Sequence, residues 1–202
     1  AQENILRYLA DAYDRQGKSE QATLSYERYL AALAQQNERL DPKEVISLTL
    51  KLAEDYARQG QFDRALAYGQ NAASLASQAG EKAMMSASYS VLAQLNNEMG
   101  RRGEAMVLHQ RAIQLDREIG DTRQEGLDWF KFAQTMRLSG KPARLVLASL
   151  LRAERLLSSN PGTEFDMVVD ARRQEEATAG KDAAIADKEL ESILSDLLVT
   201  QP

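Results

Sequence analysis

The stretch from Leu48 to Ala76 reads L-T-L-K-L-A-E-D-Y-A-R-Q-G-Q-F-D-R-A-L-A-Y-G-Q-N-A-A-S-L-A. It is a helix, a tight turn at Gly60 and a second helix. Leu52-Ala53, Tyr56 and Ala65 stand eight, seven and four residues before the glycine and five after it. The same offsets recur around Gly17, Gly100 and Gly140, and Gly180 keeps the interval, with spacings of 43, 40, 40 and 40 residues. A fixed period of this length marks a stack of like supersecondary units. At the eighth and seventh positions stand Leu9-Ala10, Leu52-Ala53, Leu92-Ala93 and Phe132-Ala133. A large residue beside a small one lets two helices approach closely. Tyr13, Tyr56, Asn96 and Met136 follow one turn later, and Ala22, Ala65, Ala105 and Leu145 open the second helix. The glycine gives the backbone the freedom to end one helix and start the next.

These residues resemble the tetratricopeptide repeat, whose pattern runs from a large residue through Leu-Gly/Ala and Tyr to Gly and Ala. Trp129, Phe132-Ala133, Met136 and Gly140 keep a Trp at the first position, and Tyr89, Leu92-Ala93 and Gly100 put Tyr there. The period of 40 exceeds the usual ~34. It is similar to the long-helix subgroup of kinesin light chains, spindle-orientation adaptors and bacterial signalling arrays. The resemblance covers residues 3–158 and implies an all-α, right-handed superhelix of four hairpins. It implies repeats over 3–38, 42–79, 82–119 and 122–158, so that residues 1–158 form the array.

Helix signals agree with those bounds. Asp41-Pro42-Lys43-Glu44 offers a capping Asp, a first-turn Pro and a Glu at the box position. Asp121 and Gln124 offer a second box, and Lys141-Pro142 starts another helix. The helices are expected at 3–16, 19–38, 42–59, 62–79, 82–99, 102–119, 122–139 and 142–158. Ser159-Asn160-Pro161-Gly162 is the strongest breaker in the chain. Beyond it, residues 163–179 are expected to be helical, with Thr163 at the cap and Asp166 at a box-like position. Arg172-Arg173 stand there in place of the Leu-Ala pair, which a buried seam accepts only at a cost. Ala186, Leu190, Ile193, Leu194 and Leu197 form an apolar stripe at helical spacing. Residues 159–202 therefore read either as a degenerate fifth pair that caps the array or as a segment leading to a docking helix, Ala186–Leu198.

Composition narrows the function. The chain has 202 residues, a net charge of -5 and no Cys. A mildly acidic balance argues against non-specific nucleic-acid binding and against an anionic membrane surface. Absence of Cys removes disulfides, thiolate nucleophiles and Cys-ligated metals. No apolar run reaches the ~20 residues of a membrane span. The sequence starts at Ala1 with no Met and no signal-peptide pattern, so it is expected to begin inside a longer chain or after a cleavage. A cytoplasmic location is expected, with the periplasm as the alternative.

Catalysis is hard to assemble from this inventory, and no enzyme, cofactor or metal is expected. The one His, His109, sits inside a second helix at the place where the first repeat has Tyr26, and it reads as packing. No ligand partners surround it at metal spacing. Glu175-Glu176 beside Arg172-Arg173 reads as a self-paired solvated face. Gly100-Arg101-Arg102-Gly103 is the repeat turn, not a phosphate cradle. Ser and Thr are many, but a nucleophile needs a base in reach, and the one His has no marked partner.

In this repeat class the first helix of each pair lines the concave face. Residues thirteen, ten, six, three and two before each glycine are then the candidates for binding. They comprise Asn4, Arg7, Asp11, Asp14 and Arg15; Ser47, Leu50, Glu54, Ala57 and Arg58; Ala87, Ser90, Gln94, Asn97 and Glu98; and Leu127, Phe130, Gln134, Arg137 and Leu138. Gln94 and Asn97 have amides that pair with an extended backbone. Arg7, Arg15 and Arg58 suit acidic side chains or a carboxylate. Asp11, Glu54, Gln134 and Arg137 fill the same row. Leu127, Phe130 and Leu138 on an expected exposed face call for a cover, either an external segment or the chain's own helix at 186–198. The expected function is a non-catalytic scaffold that binds a protein or peptide segment in this groove. The alternatives are a ligand- or peptide-sensing domain of a larger signalling protein and an oligomerisation module. The oligomeric state stays open at this point.

Overall fold

In a computed structural model, residues 2–35, 41–159, 161–180 and 185–199 are described. Ten α-helices follow one another among them: α1 (Gln2–Arg15), α2 (Ser19–Ala34), α3 (Pro42–Arg58), α4 (Phe62–Ala79), α5 (Lys82–Glu98), α6 (Arg102–Ile119), α7 (Thr122–Leu138), α8 (Ala143–Leu157), α9 (Thr163–Ala179) and α10 (Asp187–Leu198). The expected helix at 19–38 ends at Ala34, and residues 36–38 lie outside the described residues. The Asn160 of the breaker also lies outside them. The chain divides into two compact units, Ala1–Leu95 and Asn96–Pro202.

One turn is used repeatedly. Gly17, Gly60, Gly100 and Gly140 all have φ near +70°. The residue after each glycine donates its N–H to a carbonyl five residues back: Lys18 to Tyr13, Gln61 to Tyr56, Arg101 to Asn96 and Lys141 to Met136, at 2.8–3.0 Å. This is a Schellman cap, which satisfies carbonyls that a helix end leaves unpaired. The residue four before the glycine thus supplies both a packing side chain and the accepting carbonyl. Gly80 and Gly120 close the junctions between hairpins in the same way, through Glu81 to Ala76 and Asp121 to Asp116, both 2.9 Å. At Gly180 the pattern changes. Its φ is 71° but its ψ is -168°, so the backbone leaves α9 in an extended direction.

Helix starts follow the caps in part. Asp41 accepts from Lys43 N at 3.0 Å, with Pro42 opening α3. Asp121 accepts from Gln124 N at 2.9 Å. Thr163, expected as a cap, is instead the first helical residue of α9, and Gly162 precedes it without a side-chain bond.

Each unit builds its own core. In the first, Ala10, Tyr26, Tyr29, Leu48 and Leu52 cluster between α1, α2 and α3, and Ile46, Leu50, Ala72 and Ala76 form a second group. In the second, one large cluster joins Trp129, Phe132, Met136, Val146, Leu150, Leu157 and Val168 with Leu190, Leu194 and Leu198 of α10. Gly126 permits close packing there, because a Cβ on it would come within 2.9 Å of Leu157 Cγ. Helix α9 packs against α8, as the first helix of a fifth pair would. Helix α10 packs against α8 and α6. Arg172, at the fifth seam, is carried by Glu154 (2.5 Å) and Glu176 (2.7 Å), which makes the position tolerable for a guanidinium.

Candidate functional site

The first helices of the first unit lie side by side. Three side-chain pairs, each 37 residues apart in sequence, join them: Arg7 Nη1 with Glu44 Oε1 at 3.5 Å, Lys51 Nζ with Asp14 Oδ2 at 2.8 Å, and Ser47 Oγ with Met84 Sδ at 4.0 Å. The α1–α3 pairs join residues six positions apart in the repeat frame and the α3–α5 pair joins residues three apart, so the three helices run side by side with a stagger. On α3 and α5, the Leu-Ala pairs turn inward and are buried. On the opposite edge Arg7, Arg15, Glu54, Arg58 and Gln94 are exposed. Side chains of Asn4 lie outside the described residues.

Between these exposed residues runs a packed polar network. The Tyr26 hydroxyl donates to Asp11 Oδ1 at 2.6 Å, which leaves Asp11 half-buried. Lys51 lies over the Tyr26 ring at 5.0 Å and reaches Asp14 and, at 3.8 Å, the buried Asp55. Arg58 closes the chain on Asp55. Lys51 and Asp55 fall between the offsets that the repeat class assigns to the concave face. Their signal is the i, i+4 spacing of opposite charges on one helix. Burial pushes the Tyr26 hydroxyl well above its ordinary range, and the Asp11 bond adds to it.

The second unit treats the equivalent row differently. Phe130, expected on the exposed face, is 8% exposed and belongs to the large cluster. Leu50 and Ser90 in the first unit are likewise buried. Spacing places these residues on one helix face, whereas burial depends on which helices pack against that face. Leu127 is half-buried, and Leu138 stays 56% exposed. Gln134 and Arg137 line a narrow crevice with Ala171 and Glu175 of α9, so this edge of α7 faces another helix. Asn97 is half-buried and donates Nδ2 to Thr135 Oγ1 at 2.5 Å.

A larger opening lies elsewhere in this unit. A cavity of about 480 Å³ is lined by Arg117, Arg152, Glu191, Leu194, Ser195, Leu198 and Val199. Its polar wall is organised by Glu125, which is buried. Glu125 Oε1 accepts from Arg117 Nη2 (2.9 Å), Arg152 Nη2 (3.2 Å) and Trp129 Nε1 (3.2 Å). Sequence reading could not assemble this group, because its members lie on α6, α7 and α8 with no periodic signature.

His109 is buried between α6 and α7, its ring 6.3 Å from that of Phe132. Neither ring nitrogen has a hydrogen-bond partner among the described residues. Burial, with a smaller contribution from Lys131, lowers its pKa to about 3, so the ring is neutral at physiological pH. Among the described residues no cluster of three His, Asp or Glu side chains could hold a metal ion. No described helix is long and apolar enough to cross a membrane.

Residues 44–118 match the tetratricopeptide repeat family model. No curated protein matches the chain. Among solved structures, the chain is similar to BtubC (BKLC) from P. vanneervenii, with a TM-score of 0.75 at 14% identity over 98% of this chain and 81% of that one. It is also similar to the nearly identical TPR-like repeats of a putative kinesin light chain from Podosopora anserina (0.67, 17%, 96% and 92%). A third likeness is to the Rap conjugation gene regulator of plasmid pLS20 in complex with the Phr* peptide (0.69, 13%, 98% of this chain and 52% of that one). The chain is thus tetratricopeptide-like in fold, with helices as its regular elements among the described residues and the family's repeats themselves matched over residues 44–118.

Proposed function

We propose that this protein is a non-catalytic interaction module that binds a segment of another protein across its first helices. The observation that carries the reading is the side-by-side packing of α1, α3 and α5. The Leu-Ala pairs of α3 and α5 are committed to packing, and all three helices hold exposed polar side chains. In the first unit Arg7, Arg15 and Arg58 offer guanidinium forks to acidic groups, and the Gln94 amide suits an extended backbone. Asp11 and Glu54 set the register of the peptide by excluding acids beside them. In the second unit Asn97, Leu127, Phe130, Gln134 and Arg137 are the corresponding candidates. Exposure and the crevice beside α9 favour Leu127 and Arg137 over Phe130. Each contact of this kind is worth little alone, so affinity comes from several in register.

A peptide-sensing role in a larger signalling protein is the second reading. It is favoured by the structural likeness to a Rap regulator solved with a peptide.

The test is a capture experiment with wild type and an Arg15→Glu, Arg58→Glu double variant, both checked for helicity. The variant reverses two exposed charges, and because Arg58 also pairs with the buried Asp55, its thermal stability is matched against an Arg15→Glu single variant before binding is read. A groove ligand should bind the variant roughly tenfold or more weakly, equivalent to about 1.4 kcal/mol. Partners recovered equally by both proteins would place binding elsewhere and end the groove assignment.

A further inference from the structure

Helix α10 shows what a second surface of the molecule recognises. Leu190, Leu194 and Leu198, at i, i+4 and i+8, are buried in the cluster built from α6, α7 and α8. On α8 the five residues Val146–Leu150 are all buried. Two glutamines one turn apart on α6 meet the end of α10. Gln110 Nε2 donates to the Leu197 carbonyl at 2.5 Å, and Gln114 Nε2 donates to the Leu198 carbonyl at 2.9 Å. These are carbonyls that a helix C-terminus leaves unpaired. Along the sides, Arg144 pairs with Glu189 at 2.6 Å, and Arg152 lies 3.9 Å from Glu191. The seat thus reads three features: an apolar stripe, acidic flanks and a helix end.

Helix α10 is the shortest of the described helices, with 12 residues. A helix of that length is marginal in isolation, so its order comes from the seat. The backbone leaves α9 extended at Gly180 rather than in the tight cap of the other turns. Beside its C-terminal end the cavity of about 480 Å³ remains open, walled by Arg117 and Arg152.

We infer that the α6–α8 surface is a binding site for an amphipathic helix of another protein, with leucines at i, i+4 and i+8 and acidic flanking residues, and that α10 is its resident competitor. Charge complementarity selects the partner: Arg144 meets an acid on the first turn of the seated helix, and Arg152, shared with the buried Glu125, reaches a second acid two residues on. Seated in cis, α10 keeps the surface closed to weaker helices. A partner must outcompete a tethered ligand at high effective concentration. The groove test alters Arg15 and Arg58 on α1 and α3, whereas this seat lies on α6 and α8, so the two proposals can fail independently.

The experiment uses the full chain and a labelled peptide of residues 185–199 as the probe. Leu190→Glu with Leu194→Glu unseats the resident helix. The probe is expected to bind this variant at least tenfold more tightly than it binds wild type. Adding Gln110→Ala and Gln114→Ala should weaken that binding again. No binding to a folded variant, or equal binding to variant and wild type, overturns the proposal. A wild-type chain that forms a concentration-dependent dimer by exchanging α10 would assign the seat to a second copy and also overturns it. Should the double variant unfold, hydrogen exchange on wild type replaces the readout. Added probe then accelerates exchange of the Leu190–Leu198 amides if it displaces α10, and unchanged exchange sinks the idea.

Discussion

The two units fill the same helical hairpin in different ways. All seven tyrosines lie before Leu95, while the one Trp and three of the four Phe lie after it. In the first unit tyrosines reach across helices to carboxylates: Tyr26 to Asp11 (2.6 Å), Tyr29 to Glu44 (2.7 Å) and Tyr68 to Glu27 (2.7 Å). Tyr68 also stacks on Tyr56 with centroids 5.5 Å apart. In the second unit a continuous apolar cluster takes over, with Trp129 and Phe132 at 5.9 Å. The contrast is sharpest nine residues after the hairpin glycine. Tyr26 occupies that place in the first repeat and bonds to Asp11, whereas His109 occupies it in the third and bonds to nothing among the described residues. A repeat therefore fixes the backbone and the seam, and leaves each unit free to balance polar and apolar packing. The two units should then fail under different stresses, and the dyes are built in: Trp129 reports the second unit and the tyrosines report the first.

The largest effect is expected from Phe132→Ala. Phe132 is fully buried among Trp129, His109 and Met136. Removing a buried aromatic side chain typically costs about 3–5 kcal/mol, through lost transfer energy and the cavity left behind. The denaturant midpoint followed by Trp129 fluorescence should fall accordingly. An unchanged midpoint would mean that the cluster does not hold the second unit together, and the comparison would break.

Acid should act next, through His109. Its pKa is about 3 when folded and near 6.5 when unfolded. The unfolded state takes up the proton first, so this contribution is intact above pH ~6.5 and is lost as pH falls towards 3. The slope is roughly 1.4 kcal/mol for each pH unit in that window. His109→Leu removes the slope and two buried nitrogens, and should raise stability at neutral pH by about 1–3 kcal/mol. Urea titrations at pH 7 and pH 4.5, read on Trp129, decide it. An acid slope that survives in the variant would belong to carboxylates instead.

How far these features could be read from the sequence depends on their range. The period of the glycines and the caps at Asp41 and Asp121 are local, and nearly every helix lies within a residue or two of its expected bounds. The inward turn of Leu52-Ala53 follows from helical spacing alone. Exposure is not local. Leu9 holds the same position as Leu52 yet is 40% exposed, while Phe130 was expected to face solvent and is covered. Leu52 and Phe130 are covered by residues of neighbouring helices, which no local pattern records. The site shows the same division. Arg7, Arg15, Glu54, Arg58 and Gln94 come out exposed, as a single helix face allows. Asp11 is drawn into packing by Tyr26, and the Glu125 group draws on three helices, which no spacing rule links. Gly180 kept the interval but not the backbone geometry, because periodicity fixes position and not ψ.

The smallest effect tests the first unit from the alkaline side. Tyr26 is buried and donates to Asp11, and both factors hold its proton more tightly than in the unfolded chain. An unfolded tyrosine ionises near pH 10. The stabilisation is therefore complete below that pH and is lost as pH rises above it, because the unfolded state releases its proton first. Tyr26→Phe removes the hydroxyl and leaves Asp11 half-buried with access to water. At neutral pH this should cost about 1–2 kcal/mol, the range for a hydrogen bond to a charged acceptor that water partly replaces. Above pH 10 the variant should lose stability less steeply than wild type, so the two curves converge. Some slope must remain, since Tyr29, Tyr56 and Tyr68 are raised in the same direction. Urea midpoints read on tyrosine fluorescence at neutral pH, and on far-ultraviolet circular dichroism across the alkaline range, make the comparison. Parallel curves would show that the Tyr26–Asp11 bond carries no alkaline sensitivity, and the first unit would then owe its stability to the rings rather than to their hydroxyls.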